Sequence, residues 1–171
     1  MKNCLMILLL LIIVKANAQT QYEVTTATRH SQQKVLRGIV NKNIVKADTS
    51  FSKWYEPNQR YYTPDSVVVN AMVSSKGKVQ FILFGGTWCE DTQFILPKFF
   101  KLQEMAGIAD EQVSFFAVNE DKKSLGNITQ AFGITNVPTI IVMKEGKEIG
   151  RVVEYGKTGK WDRELADLLN K

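Results

Sequence analysis

Phe84-Gly85-Gly86-Thr87-Trp88-Cys89-Glu90-Asp91-Thr92 is the stretch from which the rest of the chain is read. The apolar run Val79-Gln80-Phe81-Ile82-Leu83-Phe84 leads into it and has the composition of a buried strand. Beyond it, Phe94, Ile95, Phe99, Phe100, Leu102 and Met105 lay out a broad apolar helical face that Gly107 closes. Cys89 therefore stands at a strand-to-helix junction, where free N–H groups and the helix dipole favour negative charge. The thiolate is the reactive form of cysteine. Glu90 and Asp91 suit the helix start for the same reason, but they oppose a second anion at Cys89. Pro97 lies well inside the helical pattern, removes one backbone hydrogen bond and is expected to kink the helix near Gln93.

Working outward toward the N-terminus, Thr63-Pro64-Asp65 reads as a helix start, with Thr63 capping and Pro64 in the first position. That helix carries Val67, Val68, Ala71 and Met72 inward and stops at Gly77. The stretch from Phe51 to Tyr62 mixes aromatic and polar residues and reads as packing over the edge of the main domain, with a partner-contact surface as the alternative. Val35 to Val40 and Ile44-Val45 form one or two short strands, and residues 20–34 form a polar, loose arm.

Toward the C-terminus, Val113 to Val118 is a second buried strand, followed by a charged loop over Asn119 to Lys123 and a short helix from Leu125 to Phe132. Val137-Pro138-Thr139 opens a strongly apolar strand, and a proline there fits only the strand's first position. Lys144-Glu145-Gly146-Lys147 turns into a last strand, Glu148 to Val153. Trp161, Leu165, Leu168 and Leu169 then define a closing amphipathic helix. Strands alternating with helices from residue 65 onward predict an α/β fold with a central mixed sheet, helices on both faces and an antiparallel edge.

The chain has 171 residues, enough for one domain with a substantial core. Lys2, the apolar run Cys4 to Val14 and Ala16-Asn17-Ala18 form a signal-peptide pattern, so residues 1–18 are expected to be removed and Gln19 to begin the mature chain. The apolar run is too short to span a bilayer, which needs about 20 residues, so no stable membrane span is expected after cleavage. A retained N-terminal anchor is the alternative. The resulting organisation is 1–18 signal peptide, 19–64 N-terminal extension and 65–171 main domain. An exported protein, periplasmic or secreted, would then hold Cys89 as its single thiol in a compartment where disulfides persist. Without Lys2 and Lys15 there remain 20 basic and 17 acidic residues, a net +3 that gives no case for nucleic acid. His30 is the only histidine. A metal cluster or a Cys-His pair has little material, no cofactor is called for, and His30 is given no role.

The element order, with Trp88-Cys89 at the first strand–helix junction, Pro97 inside the helix, Val137-Pro138-Thr139 before the hairpin and Lys144-Glu145-Gly146 at its turn, resembles the thioredoxin family over roughly residues 65–171. The resemblance implies a thioredoxin-like fold, a cis Val137–Pro138 bond and a substrate-binding backbone at Val137 and Pro138 beside the nucleophile. It implies Cys89 as nucleophile, with Trp88 beside it. Two positions depart from the family. Thr92 stands where a resolving cysteine is expected, and Leu83 where thioredoxins proper carry a buried acid. Thr92 is expected to give the thiolate a hydrogen bond. Two functions follow. One is an extracytoplasmic monothiol oxidoreductase or isomerase acting on protein disulfides, with protein thiols or small-molecule thiols as partners. The other is a redox-inactive binding or adaptor protein on the same fold.

Overall fold

Successive residues along the central strands join different apolar clusters, so the sheet separates two apolar layers. The computed structural model describes residues 21–30 and 32–171. The signal-peptide segment and the proposed mature start at Gln19 lie outside the described residues. One sheet contains β1 (Tyr22–Thr26), β2 (Lys34–Val40), β3 (Gln80–Gly85), β4 (Val113–Ala117), β5 (Thr139–Lys144) and β6 (Lys147–Val153), in the spatial order β1-β2-β4-β3-β5-β6. β3 and β4 run parallel; every other neighbouring pair is antiparallel. The mixed sheet expected from the order of elements is present.

Phe81 and Leu83 of β3, Phe115 and Ala117 of β4, and Ile140 and Val142 of β5 point into the larger layer. It is closed by α1 (Lys42–Ala47), α2 (Ser52–Tyr61), α3 (Ser66–Ser75), α4 (Glu90–Ala106) and α6 (Trp161–Leu169). The intervening residues Phe84 and Ile141 point the other way, into a smaller layer with Trp88, Val118 and Val137, covered in part by α5 (Ile128–Ala131). Helices lie on both faces, and unequally. The turn that carries Cys89 passes from β3 into α4 at the end of the small layer.

Several local expectations change. The segment read as a loose arm contains β1, paired with β2 from Tyr22↔Gly38 to Thr26↔Lys34. An edge strand needs hydrogen bonds on one side only, and Val24, Thr25 and Thr26 suit extended backbone, but the strand is mostly exposed and carries no apolar alternation. Gly38 permits the pairing: a Cβ there would stand 2.3 Å from Gln21 O. Ile44-Val45 is not a strand but part of α1, whose cap Asn41 accepts from Ile44 N at 3.0 Å. Asp65, rather than Thr63, caps α3, accepting from Val67 N at 2.9 Å. Val67, expected to point inward, is 48% exposed. Phe94 and Met105, about three turns apart on α4, share a stripe beside the buried one and are 40% and 50% exposed. The helix after β4 is shorter than expected, beginning only at Ile128.

The stretch from Phe51 to Tyr62 packs as structure. It forms α2, with Phe51 and Tyr55 buried in the larger layer and Pro57 inside the helix. α2 lies on α4 where Pro97 interrupts the hydrogen-bond ladder. Pro97 has no N–H to give the carbonyl of Gln93. Asn58 Nδ2 supplies it instead, at 3.2 Å from Gln93 O, while also bonding Trp54 O at 2.9 Å. α4 runs unbroken from Glu90 to Ala106 across this point. Replacing Asn58→Leu is expected to strand that partly buried carbonyl and cost about 1–3 kcal/mol, measured by chemical denaturation.

Candidate active site

Two glycines let the turn fold on itself. A Cβ on Gly86 would stand 2.4 Å from Trp88 Nε1, and one on Gly85 would stand 2.7 Å from Thr92 Cγ2. Trp88 therefore lies over Gly86 and Thr92 packs onto Gly85, contacts closed to any larger residue. Thr87 ties the turn to β2: its Oγ1 donates to Lys34 O at 3.0 Å and accepts from Leu36 N at 3.2 Å. Gln93 adds a further tie through Nε2, at 2.8 Å from Thr87 O and 3.0 Å from Gln33 Oε1. The segment before residue 65 thus helps fix the geometry of the cysteine turn.

Cys89 is the N-cap of α4 and the one cysteine among the described residues. It is partly exposed, and its Sγ donates to Val137 O at 3.3 Å. The Val137–Pro138 bond is cis, as the resemblance implied, and Val137 is buried. Cys89, Val137, Pro138 and Trp88 are thereby brought together. Trp88 is 8% exposed and donates Nε1–H to Val118 O at 3.1 Å.

Thr92 is placed differently from the expectation. It is fully buried, and its Oγ1 accepts from Gly86 N at 3.2 Å. No hydrogen bond between Thr92 and Cys89 Sγ occurs among the described residues. The hydroxyl supports the turn rather than the sulfur. Leu83 is buried in the larger layer, so the place where thioredoxins proper carry an acid is apolar here.

Two residues near the sulfur were missed in the sequence. Tyr155 follows β6, its ring 5.7 Å from that of Phe94. Burial first, then its hydrogen bond to Asp91, raises its phenol above the ordinary range, with the charges of Cys89 and Glu90 adding to the effect. His30 is the second. Its ring lies 4.8 Å from that of Trp88, and its Nδ1 is 2.7 Å from Glu120 Oε1. Glu120 also accepts from Thr28 N and Arg29 N, both at 2.8 Å, and from Thr28 Oγ1 at 3.0 Å. The segment after β1 is thereby clasped to the loop after β4, across the outer face of Trp88. Neither residue sits in a periodic pattern, and their positions depend on pairings far apart in sequence.

The clasp is acid-sensitive. The hydrogen bond from His30 is the largest cause that lowers the Glu120 carboxyl from 4.5 to about 2; desolvation opposes it, and the Thr28 and Arg29 backbone N–H groups lower it further. A carboxyl held down in the folded protein contributes its stabilisation fully above its unfolded value and loses it as the pH falls toward the folded one. The indole N–H resonance of Trp88 is therefore expected to shift between pH 4.5 and 2 as the Glu120 clasp is lost. Glu120→Gln is expected to remove that transition.

As chemistry, the site offers a sulfur at a helix N-terminus, a backbone carbonyl beside it and a buried indole as its wall. Among the described residues no group of three metal-ligating side chains occurs, and no helix is long and apolar enough to cross a membrane.

Comparison with known proteins gives consistent relatives. The thioredoxin family profile matches residues 65–168. The mitochondrial thioredoxin-2 of Schizosaccharomyces pombe is 34% identical over 128 residues, covering 69% of this chain and 88% of that protein. A thioredoxin-like protein of Acanthamoeba polyphaga mimivirus is 36% identical over 85 residues, covering 50% of this chain but only 58% of the relative's length. Among solved structures, a Pseudomonas aeruginosa protein of unknown function superposes with a TM-score of 0.54 over 76% of this chain and 89% of its own, at 14% identity. That likeness concerns the fold alone.

Proposed function

Because the chain belongs to the thioredoxin family, we propose that it is a thiol–disulfide exchange protein whose Cys89 attacks protein disulfides without an internal resolving thiol. The observation that carries this reading is the placement of Cys89 Sγ at the N-terminus of α4, 3.3 Å from Val137 O in the segment beside Pro138. In the thiol form Sγ–H donates to that carbonyl. Loss of the proton removes the bond, leaves the sulfur facing the free N–H groups of the first turn, and frees Val137 O to accept from a substrate backbone.

The thiolate attacks one sulfur of a substrate disulfide. A Cys89–substrate disulfide forms, the substrate S–S bond breaks, and the other substrate sulfur leaves as a thiolate. Thr92 cannot complete the exchange. A second thiol, from the same substrate or from a small-molecule thiol, must attack the mixed disulfide, forming a new disulfide and returning the Cys89 thiolate. With a substrate thiol the net result is isomerisation; with external thiols it is reduction. Export, supported by the pattern over residues 1–18, would place this chemistry where disulfides persist.

Incubating the protein with a small disulfide peptide lacking free thiols tests the proposal. Mass spectrometry is expected to find one peptide covalently bound at Cys89, released on addition of glutathione. No adduct at any pH up to 9 would overturn the reading. The second reading, a redox-inactive adaptor, is favoured by one observation: the position three residues after Cys89 is buried and holds the turn through Gly86. It predicts that Cys89→Ser restores the phenotype of a deletion strain as well as the natural chain does.

A further inference from the structure

Lysines on helices normally carry the ammonium out to water. Lys98, on α4 directly after Pro97, is only 8% exposed. Its Nζ lies over the face of Phe94, one turn earlier, and 5.9 Å from the centre of the Tyr62 ring. Among the described residues it has neither a hydrogen-bond acceptor nor a carboxylate within salt-bridge distance. The carboxylate that acts on it is Asp162, and that group is already engaged, accepting from Tyr62 OH at 2.7 Å and from Arg163 N at 2.9 Å. Burial brings the ammonium down to about 8, with Asp162 opposing the change. The cation therefore stands beside two aromatic rings with no anion of its own.

This amine lines a cleft of about 480 Å³ between the end of α2 and α4, walled by Pro57, Tyr61, Tyr62 and Phe94. Tyr61 is 79% exposed and Phe94 40%. An open recess with aromatic walls, the polar side chains of Asn58 and Thr63 and a single cationic group, Lys98, has the make-up of a small-ligand site. What the recess lacks is an anion. A carboxylate entering beside Lys98 would supply the missing partner, and a flat apolar group attached to it would lie against the rings of Tyr61 and Phe94.

The geometry points to a binding site for a carboxylate carried on a short aromatic group, either a free aryl-alkanoate or the C-terminal aromatic residue of a peptide, with Lys98 as its anchor. The site is separate from Cys89 and does not depend on the exchange chemistry.

Titration of the full chain with 3-phenylpropionate, followed by the Lys98 side-chain NMR signals, tests this. Saturable binding is expected, with the Lys98 titration midpoint moving upward when the site is full and the neutral 3-phenylpropanamide binding at least tenfold more weakly. Lys98→Met is expected to weaken the acid at least tenfold, whereas Lys98→Arg keeps most of the affinity. The wild-type midpoint shift needs no variant to fold. N-acetyl-Gly-Phe with a free C-terminus, compared with its amide, separates the sources. Competition by the free-carboxylate peptide assigns the site to a peptide end, and its failure assigns it to a small acid. Equal binding of acid and amide, insensitivity to Lys98→Met, or no saturation would overturn the proposal.

Discussion

Cys89→Ser is expected to bring disulfide exchange to the uncatalysed background while leaving the fold in place. The substitution changes one atom at the N-cap of α4, a position where serine is itself a favoured cap. The serine hydroxyl can keep the bond that Sγ now makes to Val137 O. Stability is therefore expected to change by about 1 kcal/mol or less, within the range of substitutions outside a packed core. Reactivity is expected to disappear because an alcohol at neutral pH supplies almost none of its anion and is a weak nucleophile without a base. Among the described residues no histidine or carboxylate is bonded to the sulfur to act as one; His30 is directed to Glu120. The measurement is refolding of a scrambled disulfide protein, with thermal unfolding of both proteins run in parallel. Equal background rates for the natural chain and the serine variant would move the assignment to the adaptor reading.

The parts of this site that were legible in the sequence are those fixed by short-range rules. The apolar strands β3, β4 and β5, the glycine closing α4 and the Lys144–Lys147 turn each carry their own local signal. So did Pro138, a proline at the mouth of an apolar strand. What could not be read depends on pairings between distant segments. β1 is polar because an edge strand buries little, so periodicity says nothing about it. α2 contains a proline and few apolar residues, and its place is set by the carbonyl that Pro97 leaves open on α4. His30 reaches Trp88 only through the β1–β2 pairing and the clasp on Glu120. Thr92 shows the limit most plainly. Spacing placed it near Cys89, but the absence of a Cβ on Gly85 draws its methyl inward and turns its oxygen to Gly86 N.

That position supports the second large effect. Thr92→Cys is expected to let the chain resolve its own mixed disulfides and release reduced substrate. Residues 89 and 92 are three apart at the start of α4, and side chains at that spacing share a helix face about 5–6 Å apart at Cβ. A modest inward movement brings two sulfurs to bonding distance, since disulfides join Cα atoms 4.4–6.8 Å apart. The site is fully buried and already accepts a side chain of nearly this size, so overpacking is small. The loss of the acceptor for Gly86 N is expected to cost about 1 kcal/mol. The new thiol would attack the Cys89–substrate disulfide, expel the substrate thiolate and leave an internal disulfide. Thiol counting on the separated substrate should then give one reduced substrate per protein molecule without any added thiol, against none for the natural sequence. Leu83 supplies no carboxylate to take the proton of the attacking thiol. Release is accordingly expected to be slow at pH 7 and to accelerate with pH, and Leu83→Asp in the same variant to lift the rate at neutral pH. A long-lived mixed disulfide in Thr92→Cys, undiminished at pH 9, would mean that the buried position does not reach Cys89 during exchange, and that external thiols complete the exchange whatever residue stands there.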